Sequence, residues 1–167
     1  MNLSSWLNLD ENILLVAYKE KQIDELMNYS VQLQHSIGIV SFERYPLISK
    51  LNVAENIVLC NMFNENISMR QALETVSPYI KSLSLDDKMQ AYNKDLNSED
   101  YFNICILRCI ASKKRIILFD SPEPYDIDVL LSWLKQMGLE IRIWICCLVD
   151  RAPVYDRMAL KSIDIFD

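Results

Sequence analysis

The sequence predicts an α/β protein with a mainly parallel sheet and helices on both faces. Two observations carry this expectation. Several apolar runs of strand length lack the alternation of a half-exposed strand, so both of their faces must be covered. Stretches with apolar residues at helical spacing separate those runs, as the crossovers of a parallel sheet require. At 167 residues and 51% hydrophobic content the chain suits one domain of ordinary globular composition, with no repeat, low-complexity tract or linker in it.

The elements follow in order. "NILLVAY" (12 to 18) reads as a strand, and "KQIDELMNYSVQL" (21 to 33) as a helix burying Ile23, Leu26, Met27 and Leu33. "SIGIVSF" (36 to 42) is a second strand, with Pro46 breaking the chain after it. "NVAENIVLCNMF" (52 to 63) predicts a short helix. "SMRQALETVSPYIKSL" (68 to 83) predicts a longer one, with Met69, Leu73, Val76 and Ile80 on one face, Ser68 as N-cap with Gln71 answering it, and Pro78 expected to kink or split it. "SEDYFNICILRCIAS" (98 to 112) opens on acids suited to a helix N-terminus and continues into a strongly apolar body, predicting a central, largely buried helix. The strand "RIILFD", the helix "DIDVLLSWLKQMG" stopped by Gly138, the strand "EIRIWICCLV" and a last short unit "DRMALKSIDIF" complete the chain.

Composition excludes several roles. A net charge of -6, with no basic cluster longer than "SKKR" (112 to 115), argues against nucleic acid. No positively charged leader precedes the first apolar run and no run reaches the length of a membrane span, so a cytoplasmic chain without direct membrane insertion is expected. Five cysteines without paired CxxC spacing read as reduced core residues rather than a metal site, with vicinal Cys146 and Cys147 as a redox pair the alternative. The chain has only two glycines, Gly38 and Gly138. A loop that wraps phosphate needs positive φ and close approach, which glycine supplies, so no glycine-rich phosphate loop is expected and no cofactor follows from composition.

"RIILFDSPEP" (115 to 124) ends an apolar strand on Asp120. Ligands of open α/β sheets sit beyond the carboxyl ends of the strands, so Asp120 is placed to meet one. An aspartate before Ser-Pro is also a common turn, and the residues alone leave both readings open.

Several blocks in order resemble the ATPase subunit of ATP-binding cassette (ABC) transporters. "IGIVSFERYPLISKLNVAENIVL" is similar to the family's glutamine loop and following helix. "LNSEDYFNICILRCIASKKRIILFDSP" resembles its signature "LSGGQ", the helix after it with an arginine near the end (here Arg108), and the Walker B strand. "KQMGLEIRIWICC" and "YDRMALKSIDI" resemble its closing segments. The likeness spans about three quarters of the chain. It implies a P-loop-NTPase-like core over residues 1-167 as a single domain, with a helical subdomain of approximately 52-112 inserted in it. It also implies loss of the family's antiparallel β-subdomain and adenine platform, leaving Tyr18 and Trp6 as aromatic residues that either pack in the core or at an edge or stack on a base.

The departures from the family pattern imply a degenerate nucleotide site. "LSGGQ" becomes Leu96, Asn97, Ser98, Glu99 and Asp100, placing two carboxylates where a polyanion would sit. The turn after "ILLVA" lacks the phosphate loop and offers only Lys19 and Lys21. The family's glutamine is Glu43, its catalytic glutamate is Ser121, and its switch histidine falls at Cys146 or Cys147. His35 matches no functional position and reads as a surface residue. No catalytic residue and no metal ligand is implied.

A groove for the permease's short helix is implied around Phe42, Tyr45, Leu47, Met62 and Phe63, with simple core packing of the helical subdomain the alternative for these residues. The reading that follows is a pseudo-ATPase, not an enzyme by itself, serving as a structural or regulatory subunit of a transporter-like membrane assembly. Its partners would be a membrane permease or an intact ABC ATPase subunit, with a homo- or heterodimer open, and it would sit at the inner face of the membrane through a partner. The alternative is an ATP-binding subunit of an ABC heterodimer that shares nucleotide binding or hydrolysis with a competent partner. A stand-alone α/β domain with an unrelated ligand is a third reading.

Overall fold

The computed structural model describes residues 7, 9–33 and 35–165. The chain divides into two compact units, Met1–Ile39 with Arg115–Asp167, and Val40–Lys114.

The first unit is built on a sheet. β1 (Ile13–Ala17), β2 (Ile37–Val40), β3 (Ile116–Asp120), β4 (Arg142–Leu148) and β5 (Lys161–Ile165) run in the order β2-β3-β4-β1-β5. The pairs β1–β4, β1–β5 and β3–β4 are parallel. Every residue of β1 is buried. Successive side chains of a strand point to opposite faces, so both faces are covered there, as the absence of alternation predicted. In register, Ala17 lies opposite Leu148 and Ile165, and Asp120 opposite Cys146, which brings the carboxyl ends of four strands to one edge.

Two helices serve this unit. α1 (Glu20–Gln32) buries Ile23, Leu26 and Met27 as expected, whereas Leu33 is its half-buried C-cap. Only four residues, 33 to 36, connect α1 to β2, which leaves no room for an antiparallel subdomain. α5 (Pro124–Gln136) begins two residues before the expected start because Pro124, whose ring fixes a helical φ and whose missing N–H costs nothing there, occupies the first turn. It ends at Gly138, at φ 65, with Gly138 N–H donating to the Lys135 carbonyl and Leu139 N–H to that of Leu134. The amino ends of β1 and β4 are tied by Ile143 N–H donating to Asn12 Oδ1 at 2.8 Å. The Arg142 guanidinium donates to the carbonyls of Leu7 and Leu9. Trp144, at the centre of β4, is fully buried, and its Nε1 is the one buried side-chain polar atom without a partner among the described residues.

The second unit is helical. α2 (Val53–Glu65), α3 (Met69–Ser82) and α4 (Ser98–Ala111) pack pairwise on one another. α2 runs two residues past its expected end and stops on Asn66, whose left-handed φ of 50 suits an asparagine cap. Its N-cap Asn52 accepts from Glu55 N–H while Glu55 returns a bond to Asn52 N–H. Ser68 and Gln71 form the same reciprocal cap on α3.

Pro78 does not split the helix, since α3 is continuous through it. Pro78 and Glu74, the residue whose carbonyl loses its donor, are both exposed, so water replaces the missing bond. The predicted apolar face also shifts. Ala72, Val76 and Ile80 are buried, while Met69 and Leu73 are half-buried. α4 is the central helix expected, burying Phe102, Ile104, Cys105, Ile106, Leu107, Cys109 and Ala111.

Candidate functional site

In the sheet unit, the turn after β1 and the tip of β3 lie at the common carboxyl edge. Neither Lys19 nor Lys21 is buried. Lys19 is the N-cap of α1, and Lys21 pairs with Glu25 at 3.4 Å along its own helix. The amides of the turn face inward. Gln22 Oε1 accepts from Tyr18 N–H at 2.8 Å and Lys19 N–H at 3.0 Å. Tyr18 is half-exposed, and the negative charge of Asp164 raises its phenol above the ordinary value. Trp6 lies outside the described residues.

At the tip of β3, Asp120 is half-buried and Ser121 adopts a left-handed φ of 46. Ser121 N–H donates to the Cys146 carbonyl at 2.8 Å, and its Oγ donates to the same oxygen at 3.3 Å. Two further contacts fasten the proline-rich turn that follows. The Tyr155 hydroxyl donates to the Pro122 carbonyl, and Arg151 meets Glu123 at 3.3 Å. Burial pushes the Tyr155 phenol up to about 12. Cys146 and Cys147 are both inside β4 and fully buried, one residue short of the strand's end. Burial pushes the Cys147 thiol up to about 11, so Cys147 presents no reactive thiolate at neutral pH.

The helical unit places the signature-like residues at the start of α4. Asn97 is the N-cap, accepting from Asp100 N–H at 2.8 Å, and Asn97, Ser98 and Glu99 are exposed. Asp100 is different. It is 7% exposed and its carboxylate receives Lys88 Nζ at 2.5 and 2.6 Å, with Asn97 N–H donating to it as well. The expected pair of outward carboxylates is therefore one, Glu99, because the other is neutralised inside the unit.

The segment carrying Glu43 follows β2. Glu43 is exposed, and Phe42, half-exposed, meets Tyr101 edge-on at 5.2 Å. Side chains of the helical unit hold the rest of the segment. Arg108 donates to the carbonyls of Tyr45 and Pro46, Asn93 donates to that of Leu47, and Leu47 N–H donates to the Tyr101 hydroxyl at 2.7 Å. Asn56 accepts from Ile48 N–H and donates to the carbonyls of Ile48, Leu51 and Asn52. Of the residues assigned to a partner groove, Phe63 is 80% exposed, Tyr45 and Met62 are half-buried, and Leu47 is in the core.

An open apolar groove of about 490 Å³ lies instead along α3, with Met69, Leu73, Ile80 and Met89 in its wall. Among the described residues no group of three His, Cys, Asp or Glu side chains could hold a metal ion. His35 is exposed, as expected, and so is Cys60, which departs from the reading of all five cysteines as core.

Gln22, Asn56, Lys88, Asn93 and Tyr155 escaped the sequence reading. Only Lys88 and Asn56 carry a faint signal, a base and an amide on otherwise apolar or acidic segments. The partners of the others are backbone atoms that no side-chain pattern records.

A mainly parallel five-stranded sheet with helices matches an ABC-ATPase-like fold. The chain matches one chain of an ABC transporter solved in an inward-facing conformation with a TM-score of 0.67, over 94% of this chain and 69% of that one, at 18% identity. In sequence it is 33% identical over 113 residues to the glutamine transport ATP-binding protein GlnQ of Geobacillus stearothermophilus, covering 65% of this chain and 46% of that protein. To the methionine import ATP-binding protein MetN of Ligilactobacillus salivarius it is 24% identical over 153 residues, covering 89% of this chain and 42% of that protein. No protein-family model matches. The chain's homologues are thus ATP-binding proteins of ABC transporters. The matched part is under half the length of each of these curated relatives.

The expectation that this is a pseudo-ATPase, and not an enzyme, is corrected by these relatives, which are named as ATP-binding proteins. Part of its physical basis also fails. The repulsion argued for the signature-like segment counted Asp100, which is paired with Lys88 and turned into the unit.

Proposed function

We propose that the chain is an ATP-binding subunit of an ABC-type transporter, one half of a heterodimer in which nucleotide binding or hydrolysis is shared with a competent partner. In this reading residues 1-167 form one cassette-like domain, held at the cytoplasmic face of the membrane by a permease. The sequence likeness to GlnQ over 113 residues carries the proposal. None of the described helices is long and apolar enough to cross a membrane, which fits a subunit recruited by a partner.

The start of α4 supports a shared site. Asn97, Ser98 and Glu99 are exposed at the positive end of a 14-residue helix, and Lys88 cancels the charge of Asp100. The proposed contribution is this helix end, offered to a nucleotide held mainly by the partner. The relatives' names put amino acids forward as the class of cargo.

The test is to tag the chain in its native cell, purify the complex intact and measure magnesium-dependent ATP turnover. The expected complex contains a permease and a second ATP-binding subunit. Its turnover should fall several-fold with Ser98→Asp, which adds a charge at the helix start. A chain that purifies without either component, or turnover indifferent to position 98, would sink the reading.

A further inference from the structure

The residues that join β3 to α5 are bent against their own preferences. Ser121 stands at φ 46, and of the four non-glycine residues at positive φ among the described residues it alone precedes a proline. The other three, Asn66, Ser84 and Lys113, lie within two residues of a helix end, where a left-handed residue is a common stop. A proline steers the residue before it to extended backbone at negative φ, so a left-handed serine there is disfavoured twice over. Pro124, in the first turn of α5, fixes the exit as well and leaves Pro122 and Glu123 to absorb the change of direction. Such a conformation persists only where its surroundings hold it.

The holding groups come from β4 and the loop after it. Ser121 N–H and Oγ both donate to the Cys146 carbonyl, at 2.8 and 3.3 Å. The next carbonyl, that of Pro122, accepts from the Tyr155 hydroxyl, and the Glu123 carboxylate meets Arg151 at 3.3 Å. Tyr155 is 1% exposed and ends the 3-10 turn Ala152–Tyr155, so its ring is gripped by the core and its hydroxyl cannot swing away alone. The loop is anchored in turn by Val149 N–H donating to the Ala17 carbonyl at 2.8 Å. The Arg151–Glu123 pair faces solvent and holds weakly. Tyr155 is therefore the principal hold on the turn from outside the sheet.

We propose that Tyr155 is a latch that keeps the turn 121–123 in a strained state, and that the turn has a second, relaxed state reached when the latch lets go. In the relaxed state Ser121 returns to extended backbone, the Pro122 carbonyl turns to water and the tip of β3 at Asp120 shifts with it. Asp120 stands at the carboxyl edge of the sheet, opposite Cys146. A contact that moves the loop 149–155 is thereby passed to that edge without touching it. The latch belongs to the geometry of the sheet unit and holds whether or not the chain binds nucleotide.

Thermal melting and amide exchange of the full chain at neutral pH test it, with Ser121→Gly, Tyr155→Phe and the two combined. Glycine relieves the strain only while the latch imposes it. The melting temperature gained from Ser121→Gly should therefore fall to less than about half when Tyr155→Phe is already in place. The Ser121 amide should exchange about tenfold faster in Tyr155→Phe, with Ile117 and Leu118 in β3 within about twofold of the parent. Arg151→Ala, at a half-exposed site that leaves the core intact, should speed the Ser121 amide by a smaller factor, about threefold. An equal gain from glycine in both backgrounds overturns the latch, and so does a Ser121 amide at its parent rate in Tyr155→Phe and Arg151→Ala alike. Acceleration of β3 as large as that of Ser121 would also overturn it, by marking a general loss of stability.

Discussion

Lys88 Nζ lies 2.5 and 2.6 Å from the two carboxylate oxygens of Asp100, joining a short 3-10 turn, Asp86–Lys88, to the start of α4. The pair is unequal, with the Lys88 side chain 32% exposed and that of Asp100 10% exposed. Its carboxylate raises the Lys88 ammonium above the ordinary value, chiefly through the hydrogen bond. Asp100 also completes the reciprocal cap with Asn97, so a single carboxylate serves both a helix end and an ion pair.

Lys88→Ala should therefore cost more than a surface ion pair does. It leaves a nearly buried carboxylate facing only Asn97, so the urea midpoint should fall by more than removal of an exposed pair such as Arg70–Glu74 lowers it. Lys88→Arg should recover most of it. Urea denaturation of these variants decides the point, and a Lys88→Ala midpoint no lower than that of Arg70→Ala would mean that Asn97 alone satisfies the acid.

Ser121 invites a stabilising substitution. A non-glycine residue at a left-handed φ carries a strain of about 1 kcal/mol, and glycine relieves it. Against this stands one long bond from Oγ to the Cys146 carbonyl, an oxygen that the Ser121 amide already satisfies. Ser121→Gly should raise the melting temperature by a few degrees, and Ser121→Val should lower it by more, as a β-branched side chain fits this conformation worst.

Thiol labelling should single out one residue. Cys60 is exposed, whereas Cys105, Cys109, Cys146 and Cys147 are buried. Burial pushes Cys105 up to about 11 and Cys109 up to about 12, which suppresses their thiolates as well as their access. Iodoacetamide at neutral pH should add a single label per folded chain, mapped to Cys60 by peptide mass, and five after denaturation. More than one label on the folded chain would contradict the packing of α4 and β4.

Alkaline pH should unfold the protein through its tyrosines and thiols. Tyr155, ordinarily near 10, is raised to about 12 in the folded chain, so the folded state holds its proton longer than the unfolded one. Its contribution is intact below pH 10 and is lost as pH rises towards 12. Tyr155→Phe should flatten the fall of stability between those limits, at the cost of a weaker hold on Pro122 and a lower stability at pH 8. An unchanged alkaline slope would show that the buried thiols dominate the effect.

Much of the fold was legible because its strands and helices carry their own local signals. The uninterrupted apolar residues of β1, the Ser68–Gln71 cap and Gly138 each announce an element through its own chemistry. Pro78 does not split its helix because the cost of a proline depends on whether water can reach the carbonyl it orphans, and that is a property of packing. Asp100 misled for a related reason. A sequence records that a carboxylate stands at a helix start but not that a lysine twelve positions earlier has folded back onto it. The candidate site was legible as positions rather than as orientations, so Cys146 and Cys147 aligned with a ligand-facing place yet lie inside a strand.

The lone indole donor in the middle of β4 gives the sheet unit a built-in optical reporter. Trp144 meets no solvent and, among the described residues, no hydrogen-bond acceptor, so its fluorescence should lie towards the blue end of the tryptophan range. With Trp6 and Trp133 replaced by phenylalanine, the red shift of that emission would track the opening of the sheet core in real time, without a label and without a ligand.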